Sequence, residues 1–239
     1  MNTIKKTTRL LLVCVLVIPT LWSPVQAADS GKDIAPMLSL LLGGTSPCTG
    51  TNVVFSAGQC WMDRNLGASR VATSATDSQA YGDLYQWGRD SDGHEKRDSS
   101  TSSTLSASDT PGHGSFVTTN SRPYDWRSPQ NDNLWQGAAG INNPCPAGFR
   151  LPIATELETE LASWSSYDAA GAFASPTKLV VAGSRYHYDG TIYYAGSYGY
   201  YWSSTVNGTN SRYLYFYSGY AYMYSNCRAY GFSVRCFED

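Results

Sequence analysis

Residues Tyr213 to Tyr224 read YLYFYSGYAYMY, two five-residue runs about Ser218-Gly219. Aromatic and apolar residues at a period of two on either side of a glycine-containing dipeptide predict a β-hairpin. A two-residue loop would pair Tyr217 with Tyr220, Tyr215 with Tyr222 and Tyr213 with Tyr224. Successive side chains point to opposite faces of a strand, so the six tyrosines share one face. Leu214, Phe216, Ala221 and Met223 share the other, which has the composition of a core. A packed core needs only one of these faces. The tyrosine face is then either a recognition surface or an aromatic ladder covered by another segment, since cross-strand aromatic pairs also stabilise sheets. Stiff, broad rings tipped with hydroxyls are the chemistry that binding surfaces favour.

The N-terminus reads as a secretory signal over residues 1–27. Lys5, Lys6 and Arg9 precede the apolar run Leu10 to Ile18, and Val25-Gln26-Ala27 is a small-residue cleavage site before Ala28. The apolar run is too short for a spanning helix, and no other stretch could cross a membrane. Cys14 follows Val13, where a lipid-anchoring signal wants a smaller residue. The expected location is therefore secreted or cell-surface. Removing the signal takes away three positive charges, so the formal charge of -2 becomes -5, from 14 basic and 19 acidic residues. That balance argues against nucleic acid or an anionic membrane as partner. About 210 residues remain, enough for one sizeable core.

Five cysteines follow the signal: Cys48, Cys60, Cys145, Cys227 and Cys236. Export permits disulfides, and an odd count leaves one thiol over or one intermolecular bond. No Cys-x-x-Cys occurs, and no histidine lies at ligand spacing, so a zinc site is not expected.

Residues 28–47 read as a linker, in which Asp33 to Leu42 is a short apolar segment. Thr51 to Leu66 predicts a hairpin that Cys48 and Cys60 could close. Tyr81 to Gly88 (YGDLYQWG) is an aromatic block expected to pack inward. Arg89 to Gln130, rich in Ser, Thr, Asp, Gly and Pro, reads as a polar insert without regular structure, its end docked by Trp126 and Trp135. Thr155 is the expected N-cap of a helix, with Glu158 completing a capping box and Leu157 and Leu161 forming its buried stripe. Lys178 to Gly183, Tyr201 to Thr205 and Gly231 to Phe237 predict strands, with Phe232, Val234 and Cys236 on one face of the last. Asn207-Gly208 predicts a turn.

Six blocks, in order, carry a resemblance: CWMDRNLG (60–67), YGDLYQWGR (81–89), DGH (92–94), PCPAGFRLP (144–152), YYWSST (200–205) and YGFSVRC (230–236). Together they resemble the Fibrobacter succinogenes major paralogous domain, over nearly all of residues 48–239. The resemblance implies an α+β, C-type lectin-like fold, loop-rich, with short antiparallel sheets and one or two helices. It implies an exported or surface location, and a bridge between Cys145 and Cys236. Cys227 is then a free thiol, or pairs with Cys48 or Cys60; as the odd cysteine it could also make an intermolecular contact. The Glu-Pro-Asn, Gln-Pro-Asp and Trp-Asn-Asp triplets of calcium-dependent lectins are absent from the sequence.

Asp90, Asp92 and Glu95 around Gly93 resemble a fragment of a calcium loop but lack its twelve-residue ligand spacing, and read as a solvated polar loop. No Gly-x-Ser-x-Gly elbow occurs, and His94, His113 and His187 show no catalytic spacing. The formylglycine-generating enzymes, which share the broad fold, use a close pair of reactive cysteines; Cys227 and Cys236 lie nine apart, and Cys236 is assigned to the bridge. No enzyme, cofactor or metal is expected. The expected function is binding or adhesion to a glycan or a surface protein through Tyr213, Tyr215, Tyr217, Tyr220, Tyr222 and Tyr224. Trp202, Arg212 and Asn226 are the expected neighbours. The alternatives are a structural surface domain whose tyrosine face is buried by residues 89–130, or a ligand-binding protein diversified by an adenine-mutating retroelement. The latter suits the window Tyr186 to Tyr230, which holds 14 of 18 tyrosines.

Overall fold

The computed structural model describes residues 47–239. The expected signal, residues 1–27, and the linker apart from Pro47 lie outside the described residues.

The first hairpin joins β1 (Val53–Ser56) to β2 (Gln59–Met62). Its loop is Ala57-Gly58, with φ of 51° and 82°, the doubly left-handed geometry whose twist suits a two-residue hairpin. Phe55 lies opposite Cys60, and Cys60 is bonded to Cys48 as expected. Four two-residue strands follow: β3 (Tyr85–Gln86), β4 (Thr101–Ser102), β5 (Phe116–Val117) and β6 (Phe149–Arg150). After helices α1 (Ala154–Ala162) and α2 (Ala169–Ala174) come the short strands β7 (Ser184–Arg185) and β8 (Ile192–Tyr193). Then come the long strands β9 (Tyr198–Asn207), β10 (Asn210–Tyr217) and β11 (Ala221–Cys227). Two-residue strands β12 (Gly231–Phe232) and β13 (Phe237–Glu238) end the chain.

The described residues are thus β-rich, with two α-helices and short, mostly antiparallel sheets. The sheet orders are β1-β2-β13-β6, β11-β10-β9 and β3-β12-β7-β8, with β4 and β5 paired in parallel. The last strand lies between β2 and β6, so the two ends of the described chain meet. The Cys145–Cys236 bridge, 91 residues apart, fastens that closure. In chain-entropy terms a loop of that size contributes about 4.5 kcal/mol.

One face of the β9-β10-β11 sheet is core. Leu214 and Phe216 pack with Tyr201, with Leu157 of α1 and with Trp164, and Ala221 and Met223 lean on the same cluster. Gly199, opposite Phe216, is required here. A Cβ at that position would lie 2.2 Å from the Phe216 ring, which crosses β9 where no side chain stands. A second cluster holds Trp87, Trp126, Trp135, Trp202 and Phe232, so the YGDLYQWG block does pack inward.

Three expectations about this framework are corrected, and one point the sequence left open is answered. The 89–130 stretch is packed, with only two-residue strands in it. Phe116 and Val117 are fully buried, and Trp126 donates its indole N–H to the Trp87 carbonyl at 2.7 Å. Its few aliphatics are offset by buried guanidinium groups that take loop carbonyls. Arg89 donates to Ser115 O and His113 O, both at 3.0 Å, and Arg185 to Lys96 O at 3.0 Å. Helix α1 starts two residues earlier than an N-cap at Thr155 would place it. Its N-cap is Ile153, whose N–H is accepted by Glu156 at 2.8 Å while Arg150 grips the same carboxylate. Lys178 to Gly183 is no strand, because its amides are spent on scattered partners rather than on one neighbouring strand. Val181 donates to Ala75 O and Val180 to the Tyr201 hydroxyl, and no ladder remains to be made. Gly231 to Phe237 breaks into β12 and β13, although Phe232, Val234 and Cys236 all stay in the aromatic cluster.

The acidic stretch is solvated only in part: Asp90 is exposed, Asp92 half-buried and Glu95 buried. His94 is fully buried, its Nε2 accepting the Gln86 N–H at 3.0 Å and its Nδ1 paired with Asp92 at 2.7 Å. Accepting at Nε2 requires a neutral ring, and burial holds the imidazole down to about 4.

Candidate functional site: a tyrosine cleft

The three-stranded sheet turns its other face outward, and the register builds that face in rungs. Trp202, Tyr213 and Tyr224 lie side by side across β9, β10 and β11. Tyr200, Tyr215 and Tyr222 form the next rung. Tyr198 and Tyr217 form the third with Tyr220, whose carbonyl accepts the Tyr217 N–H at 3.1 Å to close the hairpin. The expected pairings of Tyr213 with Tyr224 and Tyr215 with Tyr222 hold. Exposure rises across the face: Trp202 is 0 % exposed, Tyr213 5 % and Tyr224 57 %, with Tyr215 and Tyr222 half-buried.

The inner end of this face is the floor of a cleft of about 410 Å³. Its wall comes from the β7-β8 hairpin, which contributes Tyr186, Tyr193 and Tyr194. The hairpin is held there because Arg185 pairs with Gly231 of β12 and Ser184 with Tyr193. Gly183, at φ 76°, lets the returning chain pass; a Cβ there would lie 2.5 Å from the Tyr193 carbonyl. Phe232 closes the bottom, stacked on Tyr200 at 5.0 Å and packed on Trp202 at 4.3 Å.

No Asp, Glu, Lys, Arg or His is among the described residues lining the cleft. Burial, reinforced by neighbouring phenols, pushes the hydroxyl pKa values of Tyr200, Tyr213 and Tyr215 up from their ordinary value, and burial does the same to Tyr230. These groups therefore stay neutral, each able to donate and accept a hydrogen bond. The cleft is a concave aromatic surface carrying hydroxyls and no charge.

Of the expected site residues, Tyr213, Tyr215, Tyr222, Tyr224 and Asn226 line the cleft, and Tyr217 and Tyr220 continue the ladder beyond it. Two do not serve as expected. Trp202 lies under the face with its indole N–H bonded to Tyr85 O at 2.8 Å, because its register position opposite Tyr213 puts it at the packed end. Arg212 reaches Glu158 of α1 at 2.8 Å, on the core side, since alternation sends the neighbour of Tyr213 the other way. Tyr186, Tyr193, Tyr194, Tyr200 and Tyr230 were not expected at the site. Their signal was the tyrosine-rich window as a whole, and the period-two spacing of Tyr198, Tyr200 and Trp202.

No residue of 89–130 lines the cleft, so that segment is not its cover. Cys227 is free but buried, and burial followed by the nearby Asp125 pushes its thiol up to about 12. It therefore offers no surface thiolate for the intermolecular contact considered above. Asp92, His94 and Glu95 come within metal-ligand reach of one another, but Asp92 is bonded to Arg89 and His94, and Glu95 to the Gly93 N–H. They are engaged as a structural knot.

The profile of a domain family of unknown function, DUF8237, matches residues 172–237. Every residue that lines the cleft falls within that span. No curated protein and no solved structure matches the chain.

Proposed function

We propose that this chain is an exported or cell-surface binding module of C-type lectin-like architecture, which takes a carbohydrate or protein ligand in the tyrosine cleft. The observation that carries this reading is the aromatic cleft itself, uncharged and uncovered among the described residues. A protein core has no use for eight half-buried or exposed phenols around a void of this size. Two further features support the architecture: the terminal strand pairs beside the first hairpin, and the Cys145–Cys236 bridge ties that strand to the segment before α1. Among the described residues no helix is long and apolar enough to cross a membrane.

The test is a binding screen against glycans and cell-surface extracts, with Tyr215→Ala and Tyr222→Ala in parallel. Each ring is half-buried without ligand and would be covered by one, which is worth about 1.5 kcal/mol or more. Each substitution is therefore expected to weaken binding about tenfold, with an unchanged far-ultraviolet circular dichroism spectrum. Equal binding by wild type and both variants would remove the cleft as the site.

A further inference from the structure

We infer that the ligand is a neutral glycan chain, bound without calcium and long enough to pass from the tyrosine cleft to a second cavity on the same ladder. This rests on the cleft being the binding site.

The first argument is chemical. A charged anchor placed in the cleft would be desolvated with no counter-charge to meet it. An aliphatic or aromatic anchor from a peptide would cover phenol hydroxyls and leave them unpaired. Phe232 alone among the lining side chains has no polar atom. A pyranose ring matches both halves of such a lining. Its C–H face lies on an aromatic ring, and its equatorial hydroxyls meet the phenols and the Asn226 amide.

The second argument is geometric. A further cavity of about 440 Å³ lies at the turn end of the sheet, with Tyr198 and Tyr217 on its wall. Tyr198 also contacts Tyr194 and Tyr215 of the first cleft, at ring distances of 4.7 and 5.8 Å. The two cavities thus share one continuous run of rings, with rungs spaced about 7 Å apart along the strands. Val181 and Ala169 line the second cavity, and no charged side chain does. A single sugar would use one cavity; a chain uses both.

Affinity gel electrophoresis in EDTA tests this, with a mixed-linkage glucan, a galactomannan, a neutral high-mannose glycoprotein and polygalacturonate in separate gels. At least one neutral glycan is expected to retard the wild-type chain, whether in EDTA or calcium. Its source is told by which gel responds. Tyr215→Ala is expected to weaken retardation at least tenfold. Tyr217→Ala is expected to weaken the polymer several-fold while leaving a trisaccharide of the same glycan unaffected in titration calorimetry. Retardation by polygalacturonate alone, or loss of retardation in EDTA, overturns the inference. So does Tyr215-dependent capture of a surface protein with no glycan bound, although that result leaves the cleft as the binding site. Glycan binding that Tyr215→Ala does not touch overturns both.

Discussion

Replacing Arg235 by methionine lowers the midpoint of thermal unfolding by about 10 °C or more, whereas replacing Arg64 by methionine moves it by about 2 °C or less. Arg235 is 2 % exposed and sits in the last turn of chain before β13. Its guanidinium donates to Met62 O at 3.2 Å, to Asn65 Oδ1 at 2.8 and 3.2 Å, and to Thr177 O. These acceptors belong to the end of β2, to the turn that follows it and to the loop after α2, so one side chain ties the stretch before β13 to both regions. Methionine has about the right volume and no donor. It leaves the buried Asn65 and Thr177 oxygens unpaired, at about 1–3 kcal/mol each, and strips the half-buried Met62 carbonyl of its donor. For a chain of this size a loss of about 4 kcal/mol corresponds to roughly 8–16 °C. Lysine keeps the charge but not the planar fork, and is expected to fall between the two. Arg64, by contrast, pairs with Asp63 at the surface, where such contacts contribute about 1 kcal/mol or less. Differential scanning calorimetry on the three variants decides it. A midpoint for Arg235→Met within about 2 °C of wild type would show that the guanidinium is not what holds these loops.

The same interaction explains what the sequence could and could not tell. The hairpin was legible because the alternation of Tyr with Leu, Phe, Ala and Met is local, and Gly219 marks its turn. Both disulfides that stand in the structure were legible too, one from the spacing of Cys48 and Cys60, the other from the resemblance. What composition hid was the 89–130 stretch. Few aliphatics suggest disorder when burial is the only source of order. Here Arg89 and Arg185 supply it through carbonyls, and nothing in the run of Ser, Thr and Gly announces partners held elsewhere in the chain. The site was half legible for a similar reason. Alternation along β10 finds Tyr213 and Tyr215, and taken one residue further it would have sent Arg212 to the other side. The wall was out of reach. Tyr186, Tyr193 and Tyr194 arrive by way of β12, a pairing of two residues that carries no periodic signal.

Raising the pH past 10 unfolds this protein cooperatively, and its phenol groups report the event. Tyr85, Tyr201 and Tyr213 are at most 5 % exposed, and burial pushes the pKa of each above its ordinary value. In the unfolded chain they release their protons near pH 10. Above that pH the unfolded state binds fewer protons than the fold, so stability falls as pH rises. Each retained proton contributes about 1.4 kcal/mol per pH unit, or roughly 4 kcal/mol per unit for the three together. Cys227 adds to the slope earlier, because its thiol is protonated in the fold up to about 12 and in the unfolded chain only to about 9. Against a total stability of about 5–15 kcal/mol, the fold is lost within about one to three units above pH 10. The expected record is a step of phenolate absorbance from Tyr85, Tyr201 and Tyr213 that appears only as the fold is lost. Tyr213→Phe removes one titrating group from the cleft floor and is expected to shift that step upward in pH. A single smooth titration of all the tyrosines near pH 10, with the fold retained, would mean that the floor of the cleft is open to water and that its rings are not packed as the rungs require.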